Sequence, residues 1–226
     1  MCGRYALFGP VSRNNRVEIE RLVIELDRPR YNAAPTQRLP VYRIGPETGP
    51  EVAWLRRGLI PTWVKDLKDF RLSTINARSE TVDKSPTFRG PFRHRRCLVP
   101  MSGYYEWQNT PDGKVPFFFS LLNEPILYAA GLHEYWPGPP GGEAIESFTI
   151  LVTEGNEATK FVHDRMPVIL DAQARAIWLD PTSTVEQLRA LLKPYPADEM
   201  SVREVSNRVN NARNDDASLV DPIPAS

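Results

Sequence analysis

Twenty-two prolines are spread over 226 residues, and they cut the apolar sequence into short pieces. Proline fixes φ and lacks an N–H, so it ends helices and confines strands. Between the breaks run PVYRI (40–44), EVAWLRRG (51–58), VPFFFSLL (115–122), PILYAAGL (125–132) and SFTILVT (147–153). These short β-branched and aromatic runs read as strands. RCLVPMSGYYEWQ (96–108) reads as two strand segments bent between Pro100 and Gly103, and Asp112-Gly113 marks a hairpin turn. Helical period is confined to 16–26 (Ile19, Leu22, Val23 and Leu26 on one face), 171–179 behind an Asp171 N-cap, and 182–192 (Val185, Leu188, Leu191, Leu192). A further short helix is expected to open near Ser79. Many short strands and few helices predict an α+β fold. It is one compact β-rich domain over residues 1–226, with a curved, barrel-like sheet, peripheral helices and a flexible tail from about 220.

Formal net charge is zero, yet the charge is divided. Residues 1–100 carry 19 Lys and Arg against 10 Asp and Glu, and residues 101–226 carry 9 against 18. The basic half is mostly Arg, whose planar fork suits bidentate phosphate contacts. A polyanionic partner on one face is one reading; halves that interleave and neutralise each other are the other. Cys2 and Cys97 make no disulfide framework, and Cys97 in RCLVP reads as a small core residue. The start of the chain lacks the apolar run of a signal peptide, and no stretch is long enough for a membrane span, so a soluble intracellular protein is expected. Histidines 94, 133 and 163 stand far apart and no CxxC pair occurs. No metal is expected, and without a Walker or dinucleotide loop no cofactor is expected either.

Candidate chemistry gathers around the first residues, MCGRYALF. A residue as small as Cys2 permits removal of Met1, which leaves a free α-amine and a thiol on adjacent carbons. The amine can condense with an aldehyde to an imine, and the thiol can then close a five-membered thiazolidine. Gly3 allows close backbone approach to a ligand, and Arg4 sets a positive fork beside the nucleophile. The bland alternative is an incidental Cys on a frayed terminus. On a strand, GYYEW puts Tyr104 and Glu106 on one face and Tyr105 and Trp107 on the other. Glu106 among aromatics is desolvated and suited to acid/base work, unless it is a solvated edge residue. His163, between Val162 and Asp164, suits proton transfer or is a satisfied surface residue. Arg165 is placed to bind phosphate beside it. Asn32 can hold a sugar or carbonyl oxygen, or is simply a turn residue. Asn76 and Arg78 are of the right types for sugar and phosphate, and Trp63, Trp107 and Tyr104 for stacking on bases.

In chain order, MCGRY, YNAAPTQ, RRGLIPTW, INARSET, RCLVPMSGYYEW and HDRMPVIL resemble the motifs of the SRAP family, named for SOS response-associated peptidases. VSNRVNNARND resembles that family's C-terminal pattern, so the resemblance runs from Cys2 to about Leu219. It implies a monomeric SRAP domain with a DNA-binding channel and no membrane. The implied partner is single-stranded DNA carrying abasic sites, especially near replication junctions. It implies a thiazolidine DNA–protein crosslink through Cys2, surrounded by Asn32, Glu106 and His163, with strand cleavage as a side reaction when ring closure is slow. Arg4, Asn76, Arg78 and Arg165 match positions that contact the DNA backbone. The implied location is cytoplasmic in a bacterium and nuclear in a eukaryote. Many members carry Trp before the Gly of GLIP; Arg57 stands there, which implies an added phosphate contact in place of stacking. Two other functions stay open: a cysteine peptidase built on Cys2, His163 and Asn32, including self-removal of Met1, and a non-catalytic single-strand-binding module.

Overall fold

The structure, a computed structural model, describes residues 2–9, 16–19, 22–25, 28–45 and 47–223. Its strands are β1 (Arg4–Leu7), β2 (Arg16–Ile19), β3 (Leu22–Glu25), β4 (Arg30–Ala33), β5 (Arg38–Gly45), β6 (Gly49–Arg57), β7 (Asn76–Arg78), β8 (Arg96–Met101), β9 (Gly103–Thr110), β10 (Gly113–Leu121), β11 (Leu127–Trp136), β12 (Ile145–Glu154), β13 (Arg165–Pro167) and β14 (Met200–Glu204). The α-helices among the described residues are α1 (Arg89–His94), α2 (Ala172–Leu179) and α3 (Val185–Ala190).

Five strands close a barrel: β11 pairs with β8, β8 with β5, β5 with β6, β6 with β12, and β12 returns to β11. Closure removes the free edges of the ring. β12 is its seam. It runs antiparallel to β11 and β13, and parallel to β6 and β7. With partners on both edges, residues 147–153 are all buried, which is why SFTILVT reads as a continuous apolar run rather than an alternating one.

A second sheet, ordered β14-β10-β9-β1-β4, packs against the barrel. Tyr5, Tyr104 and Phe119 from this sheet meet Leu98, Phe148 and Ile150 from the barrel in the main core. The sheet's other face buries Ala6, Tyr105 and Phe118 against Val205, Val209 and Leu219. The alternation read in GYYEW is therefore the alternation between two cores. Close packing of β9 on β10 depends on Gly103. A Cβ there would stand 2.3 Å from the Phe118 ring and 2.4 Å from the Phe119 carbonyl oxygen. Gly103→Ala is expected to destabilise the fold by about 1–3 kcal/mol, read as a lower urea midpoint.

The helices at 171–179 and 182–192 form in shortened versions. The Asp171 carboxylate accepts from the Ala174 N–H at 2.8 Å, and Thr184 with Gln187 makes a capping box. The helix expected over 16–26 is not there: 16–19 and 22–25 are the paired strands β2 and β3, in the register Arg16↔Glu25 to Ile19↔Leu22. Val17, Ile19, Val23 and Ile24 are β-branched and Val17-Glu18-Ile19 alternates, a period-2 signal that a helical wheel also accommodates. Residues 20, 21, 26 and 27 lie outside the described residues. Turns, not a helix, follow β7 at Ser79, and the helix comes later, as α1 within the basic tract 88–96. In the tail, Val220 packs on the second core and Pro222 bridges to Val205; residues 224–226 lie outside the described residues.

The basic and acidic halves interleave, because both sheets take strands from each half. Arg30–Asp215, Arg43–Glu146 and Arg95–Glu134 are ion pairs across that divide. No helix among the described residues is long and apolar enough to cross a membrane.

Candidate active site around Cys2

β1 lies between β4 and β9, and this places the start of the chain in the interior. Its register sets Tyr5 opposite Ala33 on one side, and Arg4 and Tyr5 opposite Tyr105 and Tyr104 on the other. Cys2, just ahead of β1, is completely buried. Burial pushes its thiol up to about 12, against the pull of the Arg57 cation. The resting thiol is thus protonated, and any step that uses it needs a base.

Glu106 is the candidate for that base. It is 3% exposed on β9, and its charge is felt at the Cys2 thiol and the Tyr104 phenol. Burial raises its carboxyl to about 7, with a smaller push from Asp164. A carboxylate with that pKa exchanges protons readily near neutrality. Tyr104 stands two residues before it on β9, opposite Tyr5 of β1; the hydroxyls of both tyrosines are buried without hydrogen-bond partners among the described residues.

His163 arrives on the loop between β12 and β13. The loop is closed at its base by the Gly155 N–H donating to the Asp164 carbonyl at 2.7 Å. It is fastened over the second sheet at Phe161, whose carbonyl accepts from Gln108 Nε2 at 2.9 Å and whose ring meets Phe117 edge-on at 5.4 Å. Nδ1 of His163 faces the Arg165 N–H at 3.0 Å and Asp164 Oδ1 at 2.9 Å. Burial lowers the imidazole pKa, so near pH 7 the ring is neutral. Nδ1 thus meets a donor, the Arg165 N–H, and an acceptor, the Asp164 carboxylate, at once. Cys2, Glu106 and the His163–Asp164 pair are thereby gathered from three distant parts of the chain.

Asn32 holds carbonyl oxygens, those of the C-terminal segment. Its Nδ2 donates to the carbonyls of Val209 (3.1 Å), Asn211 (3.1 Å) and Asn214 (2.9 Å), and its Oδ1 accepts from Arg4 Nη1 at 2.8 Å. Asp215 completes the knot, accepting from the N–H groups of Tyr31 (2.6 Å) and Asn32 (3.0 Å) and pairing with Arg30. β1, β4 and the C-terminal segment are locked together here. Asp215 carried no signal of its own, since an acid in a polar tail looks like any solvated one. A Cys–His–Asn peptidase relay finds little support. The Asn32 amide is fully engaged elsewhere, and the Cys2 thiol is raised where a thiolate–imidazolium pair lowers it.

Asn76 and Arg78 on β7 and Arg165 on β13 flank β12, with Asn76 opposite Ile150, Arg78 opposite Val152 and Arg165 opposite Glu154. Asn76 is buried, its Nδ2 reaching the Ile150 carbonyl at 3.4 Å while Oδ1 has no partner among the described residues. Arg78 is exposed, and Arg165 pairs with Glu80. Trp63 is apart from this group, 53% exposed and edge-on to Phe70 at 6.0 Å. Trp107 lies on the far face of the second sheet, partly buried, its Nε1 donating to Asn210 Oδ1 at 2.6 Å. Arg57 corrects an expectation. It is fully buried and its guanidinium is engaged by main-chain carbonyls, so it offers phosphate nothing. Among the described residues no cluster of His, Cys, Asp and Glu could hold a metal ion.

The family model of the SOS response associated peptidase (SRAP) matches residues 1–212. The chain belongs to the SRAP family. Among SRAP relatives, it is 37% identical over 225 residues to the abasic site processing protein YoqW of Bacillus subtilis, covering 98% of this chain and 99% of that one. It is 31% identical to the abasic site processing protein HMCES of Gallus gallus, over 87% of this chain and 67% of that one. The SRAP fold is shared with a crystal structure of a protein from Bacteroides thetaiotaomicron at a TM-score of 0.77 and 29% identity, covering 86% of this chain and 85% of that one.

Proposed function

We propose that this chain processes abasic sites in single-stranded DNA by joining itself to the lesion through Cys2. The observation that carries the reading is Cys2 at position 2, buried at the head of β1 beside a carboxyl tuned to about 7. Its curated relatives of similar length, named abasic site processing proteins, supply the substrate class.

Removal of Met1 frees the α-amine of Cys2. An α-amine titrates at roughly 7.7–8, so a useful fraction is neutral at physiological pH. It attacks C1′ of the ring-opened deoxyribose, forming the N–C bond. His163 relays a proton from solvent to the departing oxygen, passing through its imidazolium form, and one water leaves as the imine forms. The Cys2 sulfur then adds to the same carbon. Its proton passes to Glu106, and the electron pair of the C=N bond returns to nitrogen, which takes up a proton. The product is a five-membered thiazolidine, with no change of oxidation state. Ring closure matters for the DNA, because an imine acidifies the C2′ proton and invites β-elimination of the strand. Arg78 and Arg165 are the phosphate contacts of this reading, with Asn76 beside them, Arg4 near the nucleophile, and Trp63 and Trp107 as stacking candidates.

The test mixes purified protein, shown by intact mass to lack Met1, with an oligonucleotide carrying one abasic site. A heat-stable shifted band on a denaturing gel is expected, and none with a tetrahydrofuran analogue that has no aldehyde. Absence of any covalent band with the true abasic site would falsify the crosslinking reading.

A further inference from the structure

Arg57 is a buried cation without a carboxylate partner among the described residues. Its side chain is 0% exposed at the end of β6. Nη2 donates to the Cys2 carbonyl at 2.6 Å, and Nη1 to those of Gly3 at 3.1 Å and Ala33 at 3.5 Å. The guanidinium carbon lies 5.0 Å from the centre of the Tyr5 ring. Its backbone is held as firmly: the Arg57 N–H donates to the Gln37 carbonyl, and its carbonyl accepts from Thr36, both at 2.9 Å. Thr36 takes φ 71°, a left-handed conformation that is unfavourable for a β-branched residue, in the turn that makes this contact.

Burying a charge is costly, and an apolar side chain would fill the space at a smaller cost in free energy. Carbonyl dipoles solvate the guanidinium but leave its full positive charge in place. What that charge touches is the main chain of the nucleophile. Two consequences follow from the geometry. Residues 2 and 3 are tied to the end of β6, and through the longer Ala33 contact to β4, before the β1 ladder begins, so the terminus does not fray. A fixed cation one carbonyl away also disfavours an ammonium on Cys2 and favours an anionic sulfur.

We propose that Arg57 is a positioning residue that clamps the Cys2 main chain to β6, favours the neutral form of its amine and eases loss of the proton from its thiol. This rests on the crosslinking reading above. The experiment compares Arg57→Met and Arg57→Lys with wild type, each lacking Met1. The rate of heat-stable crosslinking is followed across pH, and the Cys2 amine, labelled with nitrogen-15, is titrated by NMR without DNA.

Arg57→Met is expected to crosslink about tenfold more slowly at neutral pH, with the acidic limb and the amine midpoint moved up by about one pH unit. Arg57→Lys keeps the charge but not the fork, so it should retain the wild-type midpoint and lose part of the rate. An Arg57→Met protein with wild-type rate and profile overturns the proposal. So does a uniform loss at every pH with the amine midpoint unmoved, the mark of a packing residue. If Arg57→Met does not fold, Arg57→Lys decides: a wild-type rate overturns the clamp, and a slower rate at an unchanged midpoint supports it. If wild type makes no crosslink, the crosslinking reading fails, while the amine titration still tests the clamp: equal midpoints in wild type and Arg57→Met overturn it.

Discussion

Cys2→Ser is expected to abolish the heat-stable crosslink and leave an imine in its place. The serine variant keeps the α-amine, so it still condenses with the C1′ aldehyde. Its hydroxyl is a far weaker nucleophile than sulfur, and ring closure stalls. The stable band should fall by on the order of a hundredfold or more, as loss of a nucleophile does. The intermediate that accumulates is reducible by borohydride to a stable secondary amine. Left unreduced, it loses the C2′ proton, and the strand is cut on the 3′ side of the lesion. The measurement is a denaturing gel with and without borohydride. A serine variant that gives the wild-type band would remove the thiol from the mechanism and leave the amine as the sole point of attachment.

Glu106→Gln has the second large effect, and it moves activity and stability in opposite directions. In the proposed mechanism the carboxylate form accepts the thiol proton, and burial holds the carboxyl at about 7. Wild-type crosslinking should therefore rise as pH increases through about 7 and then level off. The glutamine variant, lacking the base, should run about a hundredfold slower and lose that limb. For stability the sign is reversed. Because the folded pKa lies above the ordinary 4.5, the folded state binds the proton more tightly than the unfolded chain does. The stability this contributes is fully present below pH about 4.5 and is lost as pH rises through about 7. The glutamine amide carries no charge to desolvate. At pH 8 the variant should be more stable than wild type by up to about 3 kcal/mol, and near pH 4 the two should match. Urea titrations at both pH values read this directly. A variant that loses activity and is also less stable at pH 8 would make Glu106 a scaffold residue.

Much of the site was visible in the chain before its fold. Cys2 is a candidate by position alone, since a 1,2-aminothiol depends only on which residue follows Met1. Glu106 was found through strand alternation, a local property that survives in the structure because β9 has a core on each face. Asn32 was read as able to hold a carbonyl oxygen, but that its amide ties β4 to the carbonyls of the C-terminal segment is something nothing near residue 32 in sequence could reveal. Arg57 was misread for the same reason. An arginine in LRRG looks like a surface cation, and only the carbonyls of residues 2, 3 and 33, brought in by β1 and β4, show why it is inside. The 16–26 segment failed differently, because a short run of mixed period satisfies a helix and a strand pair about equally, and β-sheet pairing with a partner decides between them.

The sequence by itself determined the strand-rich class, the hairpin turn at Asp112-Gly113 and the candidate aminothiol, because proline, glycine, β-branched residues and a second-position cysteine act through local covalent geometry. Tertiary structure alone decided the closure of the barrel, the weaving of two oppositely charged halves into ion-paired sheets, and the raised carboxyl of Glu106. Those depend on desolvation and on contacts between residues far apart in the chain, such as Arg43 with Glu146. Burial is a property of the assembled molecule, and so is the chemistry that burial tunes.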